Sequence, residues 1–225
     1  MFTAKKATTG SVFVWFLLCI SFISIQVPVY AEDYEYVTQW GVKARSNNDQ
    51  IDYPMGLDAD RNGFIYVADS RNSRIMKFDL NGNFIAKWGQ QSSDQGYLSG
   101  PYDVAVDNQG NVFVVEGWSH TVTKFDSEGK LLIKWGSYGS ENSQFYTPYG
   151  IAVDKSGYVY IADTYNHRIQ KFDSNGNFIT TWGSYGSDDN NLKYPNDIAV
   201  DDSGNVYVVD TDNYRVVKFR PVGGK

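Results

Sequence analysis

Along most of the chain, apolar runs of a few residues alternate with short polar stretches that contain glycine. No long stretch after residue 31 holds the three-to-four-residue apolar period of a helix. One unit shows the pattern. Gly150 to Asp154 is an apolar run, Lys155-Ser156-Gly157 a turn, and Tyr158 to Asp163 a second run. Arg168 to Asp173 follows, then the turn Ser174-Asn175-Gly176, then Asn177 to Trp182, ended by Gly183. β-Branched and aromatic residues between such turns predict four antiparallel strands joined as hairpins. The unit recurs. Pro54, Pro101, Pro148 and Pro195 open stretches reading P-M-G-L-D-A-D, P-Y-D-V-A-V-D, P-Y-G-I-A-V-D and P-N-D-I-A-V-D, each 47 residues after the last. A fixed period of this size marks units that bury their apolar faces only against their neighbours. The expected fold is all-β, a β-propeller of four-stranded antiparallel blades.

The phase at the two ends fixes the expected blade count. Tyr36 to Gly41 matches a fourth strand without its first three, and Val216 to Phe219 is a third strand without its fourth. An N-terminal strand over 34–41 is therefore expected to complete the last blade and close a ring of four, removing open sheet edges. The alternative is an open arc that closes by association with another chain, or part of a larger ring.

Residues 1–31 read as an export signal. Lys5 and Lys6 precede the apolar run Val12 to Ile25, and Val29-Tyr30-Ala31 supplies the cleavage pattern. The alternative is an uncleaved membrane anchor. The propeller then occupies 32–225, in a secreted, extracellular or periplasmic protein. Cleavage after Ala31 would remove two lysines and no acidic residue, taking the formal charge from −6 to −8, which argues against a nucleic-acid partner. It would also remove Cys19, the only cysteine, leaving stability to packing alone.

The residues Pro148 to Asp154, Val159 to Asp163, Asn166-His167-Arg168-Ile169 and Lys171-Phe172 resemble the NHL repeat, named for an Asn-His-Leu triplet at the place of Asn166-His167-Arg168. The resemblance covers 34–220 and implies a propeller, although NHL propellers more often have six blades than four. It implies a scaffold that binds a protein, peptide or other ligand on one face. Family members in ubiquitin ligases carry zinc modules, for which the stretch after residue 31 has no cysteine. Related propellers include lyases and lactonases that hold zinc or calcium at the central channel, so a metal-dependent lyase or lactonase-like hydrolase is the competing function.

Among candidate residues, His120 and His167 share one repeat position and supply two nitrogens where a zinc site needs three protein ligands. Local hydrogen bonding at a turn is the simpler expectation. Trp40, Trp88, Trp135 and Trp182 recur at the end of the fourth strand and read as packing between blades. Asp69, Asp163 and Asp210 each precede an arginine by five residues, as a turn-bracing ion pair would require. Blade two breaks the pattern with Glu116 and Thr121, and its turn carries Gly117-Trp118-Ser119-His120. Glu116 is thus expected to lack its basic partner.

Two residues after each proline stand Gly56, Asp103, Gly150 and Asp197. Across a four-bladed ring the two aspartates oppose each other, which suits a calcium ion with water ligands. Otherwise each bonds backbone at the start of its strand. One face of the propeller gathers Met55, Tyr102, Tyr149 and Asn196 with Trp118 and Tyr165. Together with Asp103, Glu116, His120 and Asp197 these form the expected ligand-binding face, suited to a polar or cationic partner. The reading from sequence is an exported, non-catalytic binding scaffold. A unit that self-associates by sharing strands is a third possibility.

Overall fold

The computed structural model describes residues 35–43, 50–90 and 96–222. The chain divides into two units, 1–37 and 38–225. Of the first, only 35–37 are described, and all three are exposed. The expected signal segment and its cleavage after Ala31 lie outside the described residues.

The second unit opens with a short parallel pair, β1 (Val42–Lys43) and β2 (Gln50–Ile51). Blade one follows as β3 (Pro54–Ala59), β4 (Phe64–Asp69), β5 (Arg74–Asp79) and β6 (Phe84–Trp88). Blade two is β7 (Pro101–Val106), β8 (Val112–Glu116), β9 (Thr121–Phe125) and β10 (Leu131–Trp135). Blade three is β11 (Ile151–Val153), β12 (Val159–Asp163), β13 (Arg168–Phe172) and β14 (Phe178–Trp182). Blade four is β15 (Pro195–Val200), β16 (Val206–Asp210) and β17 (Arg215–Phe219). Every blade is an antiparallel meander, so the fold is an all-β propeller of four blades.

The turns explain why the hairpins form where they do. Asp107 Oδ1 accepts the backbone N–H groups of Gln109 and Asn111, both at 2.9 Å, and its other oxygen takes the Asn111 side-chain amide. Gly110 then turns with φ of 82°, a conformation glycine adopts without strain. The same aspartate-led turn recurs at Asp60, Asp154 and Asp201.

The core lies between blades. Ala105, Phe113, Val115 and Val122 of blade two pack with Ile151, Val159, Ile161 and Phe172 of blade three. The opposite face of blade two, with Val104, Val112 and Val114, packs on Tyr66, Ala68 and Ile75 of blade one. Because side chains alternate along a strand, each interior blade is apolar on both faces. The tryptophans belong to this core, as their period suggests. Trp88 and Trp135 each lie over a glycine of the following blade, Gly129 and Gly176, where a Cβ would come within 3.0 Å of the indole. Trp40 lies in the same way over Gly82 and against Phe78.

The ends depart from the closed arrangement. Blade four has three strands among the described residues, and the expected ladder between 34–41 and β17 is not among their pairings. The indole of Trp40 is instead seated on blade one. Leu57 is 68% exposed, whereas Val104, at the same repeat position in blade two, is 2% exposed. On blade four, Val209 and Val216 are 40% and 67% exposed, against 0% for Val115 and Val122. Of the two arrangements the sequence allowed, the described residues show four blades with open end faces. The reason is geometric: the turn from blade to blade depends on how far apart bulky interface side chains hold adjacent sheets.

Candidate functional site

The first strands of all four blades line one central groove of about 570 Å³. At one end it carries Met55, Tyr102, Tyr149 and Asn196, with Asp58, Asp103 and Asp197 along its wall. The structure thus gathers six of the expected face residues: Met55, Tyr102, Asp103, Tyr149, Asn196 and Asp197. The tyrosine rings of 102 and 149 stand 4.7 Å apart. Trp118 is 57% exposed and its indole lies over Gly100. Tyr102 in turn lies over Gly117, where a Cβ would come within 2.1 Å of the ring. Gly117 thus leaves room for the Tyr102 ring, and any larger residue there would drive it away.

Asp103 carries the strongest electrostatic perturbation in the groove. Burial pushes its carboxyl up to about 7, two accepted backbone hydrogen bonds pull it down, and the nearby charges of Asp197 and Asp58 push it up again. Its Oδ1 takes the Val104 N–H at 2.8 Å and its Oδ2 the Ile151 N–H of blade three at 3.0 Å. Asp197 takes the N–H of Ile198 at 2.8 Å. The backbone role weighed from sequence is thus present in both. The alternation of Gly and Asp now has a steric cause. A Cβ on Gly56 would come within 2.0 Å of Asp103 Oδ1, and one on Gly150 within 2.9 Å of the Asp197 backbone. No third His, Cys, Asp or Glu converges on the pair among the described residues, so the calcium expectation rests on two carboxylates.

Asp58 is the groove residue that sequence reasoning missed. Its Oδ2 accepts the Val106 N–H of blade two at 2.8 Å, and burial raises its carboxyl. The signal was present: blades two to four have Ala105, Ala152 and Ala199 at that position.

Glu116 requires a correction. It has a basic partner, Lys134 on β10, whose Nζ lies 2.9 Å from Oε1 and 3.0 Å from Oε2. Its side chain is fully buried and also accepts from Ser99 N, Ser119, Thr121 and Thr123. It holds the connector entering blade two through the Ser99 N–H. In blade three the expected Asp163–Arg168 pair stands at 2.8 Å, and the guanidinium goes on to bind the carbonyls of Ser140, Glu141 and Gln144. Lys134 does the same job on blade two by reaching the Tyr97 carbonyl. The arginine at a fixed distance was visible in sequence; a lysine from the fourth strand was not.

His120 and His167 are local, as expected of turn residues. Both adopt left-handed backbone, and their Nδ1 atoms accept the N–H groups of Thr147 and Tyr194 at 2.9 and 3.2 Å. Burial lowers both imidazoles below their ordinary value. The ring of His120 abuts Tyr138 and Tyr146. Tyr146 leads to Tyr165, and Tyr165 to Tyr194, with centroids 5.1 and 5.3 Å apart. Tyr165, 43% exposed, lines a second recess of about 420 Å³ with Tyr149, Tyr194 and Asn196. The aromatic face is therefore continuous across blades two to four.

The NHL repeat family model matches residues 52–78, 145–172 and 192–219, that is, blades one, three and four. Blade two, with its substituted Glu116 and Thr121, is outside those matches. No curated protein matches the chain by sequence. Among solved structures, the chain is similar to a streptogramin B lyase, at 15% identity and a TM-score of 0.57, covering 75% of this chain and 54% of that one. It is also similar to a chain of a nidogen/laminin complex, at 20% identity and a TM-score of 0.59, covering 74% and 60%. A protein of unknown function from Bacteroides thetaiotaomicron gives 19% identity and a TM-score of 0.60, covering 73% and 46%. The chain thus spans about half to three-fifths of the length of these structures, and identities this low speak for the fold alone. Three family matches and the repeated blade architecture agree: this chain is an NHL-repeat β-propeller.

Proposed function

We propose that the chain is an exported, non-catalytic binding scaffold whose central groove takes a cationic group of a protein or peptide partner. One observation carries the reading: Tyr102, Tyr149 and Asn196 rim a groove whose wall holds Asp58, Asp103 and Asp197. Aromatic faces and carboxylates together recognise ammonium and guanidinium groups. An incoming cation favours the ionised form of Asp103, so binding tightens as pH rises through about 7.

The test is titration of the protein with a short lysine-rich peptide and with its fully acetylated counterpart, at pH 6 and pH 8. Preference for the charged peptide, stronger at pH 8 and lost in Tyr102→Ala and Asp103→Asn, supports the reading. Equal binding of the acetylated peptide overturns it. The competing reading, a lyase or lactonase at the channel, draws support from the Asp103–Asp197 pair as a calcium site. Calcium raising the Tm, EDTA reversing it and turnover of a lactone together would favour that reading instead.

A further inference from the structure

The two open ends of the molecule are the two halves of a contact it already makes three times. The leading face of blade four presents Ala199, Val209 and Val216 to solvent. Their counterparts in blade two, Ala105, Val115 and Val122, are covered by the trailing face of blade three. The trailing face of blade one presents Leu57 and Ala59, whose counterparts Ile151 and Val153 do the covering. We propose that a second copy of this chain supplies the missing neighbour, blade one of one copy packing head-to-tail on blade four of another.

Two details select a second copy over a partner of other chemistry. The first is the Gly/Asp alternation. Asp103 bridges to the N–H of Ile151, the residue after a glycine, in the blade that follows. Asp197 has no such cross-blade partner among the described residues, and the residue after the glycine of blade one is Leu57. A second copy continues the alternation in phase, with Asp197 of one reaching the Leu57 N–H of the next. The second is Trp40, seated over Gly82 as Trp88 and Trp135 are seated over Gly129 and Gly176. It occupies the place of a fourth-strand tryptophan from a preceding blade. Blade four has no fourth strand among the described residues, and an apolar recess of about 470 Å³ beside β17 is lined by Trp182, Val206, Phe219 and Val222. The segment leading to Trp40 would run along β17 of the other copy, satisfying an open sheet edge.

A head-to-tail contact uses two different patches, and this dictates the test. The chain is expressed from residue 1, purified as the host processes it, and sedimented between about 1 and 100 µM, the range in which a standard-sized interface associates. Wild type should sediment as two or more copies at the upper end. Leu57→Asp and Val216→Asp, each at a position more than half exposed, should be monomeric and keep the Tm of dissociated wild type. An equimolar mixture of the two variants should recover a species of two copies and no larger, because each supplies the patch the other lacks. Three results overturn the proposal: a wild-type monomer at 100 µM, association that survives both substitutions, or a mixture that stays monomeric.

Discussion

Blades two and four carry valines at matching places, and their fates differ. Val115 and Val122 are sealed between blades, while Val209 and Val216 stand 40% and 67% exposed. The residue types are the same, so a local sequence window cannot separate them; only the presence of a neighbouring blade does. The repeat unit is therefore an incomplete unit of stability. Each blade becomes stable by covering the next, and the last blade keeps an uncovered face.

The sharpest way to break this contrast is to place the same charge at both positions. Val122→Asp buries an unpaired carboxylate and should cost about 4–5 kcal/mol or more, enough to remove most of a typical domain's stability. Val216→Asp should stay within about 0.5 kcal/mol of wild type in the dissociated state. Urea unfolding at low micromolar concentration measures both. A comparable loss at 216 would mean that the end face is covered.

A smaller effect is expected from the aromatic anchors. Phe125, 1% exposed, should cost about 3–5 kcal/mol on truncation to alanine, and half-buried Phe219 about half as much. Equal losses would again erase the distinction between interior and end.

Blade two also differs from blades three and four in how it pins its connector. Lys134→Met leaves Glu116 buried without its charged partner, which should lower stability by about 2–3 kcal/mol, with Lys134→Arg recovering part of it. Circular dichroism melts of the three proteins decide this. No difference between methionine and wild type would return Glu116 to the list of free acidic groups.

A separate contrast lies in the pH dependence. Asp103 in the folded protein titrates at about 7, above the value of 3.8 it has when unperturbed, so the folded state holds that proton more tightly than the unfolded chain. Its contribution favours folding most at low pH and declines as pH rises from about 4 to about 7, then levels off. Asp103→Asn removes that slope. Subtracting the variant's urea midpoints from those of wild type between pH 4 and 8 should show the decline, and a flat difference would mean that Asp103 is better solvated than its place in the groove implies.

Much of the fold was legible because strand alternation and turn chemistry are local. Asp107 bonding its own neighbours two and four residues on, or Asp163 facing Arg168 across a hairpin, involves residues close in sequence. The tryptophans were read correctly because periodicity alone implies a repeated environment. The groove was legible in part. Tyr102, Asp103, Tyr149, Asn196 and Asp197 were found by their distance from the recurring prolines, and Asp58 was overlooked although it breaks the repeat in the same way. The reading of Glu116 failed because its partner lies 18 residues away on another strand, at a distance no pair in the other blades suggests.

The sequence by itself determined the blade: its four strands, its turns, its period and which faces are apolar. Those follow from φ/ψ preferences and side-chain alternation, which act over a few residues. Only the tertiary structure decided how far each blade turns from the last, and with it whether the strand near Trp40 seals the ring. That angle is set by the summed bulk of side chains meeting between sheets, a property of pairs of blades that no single repeat contains.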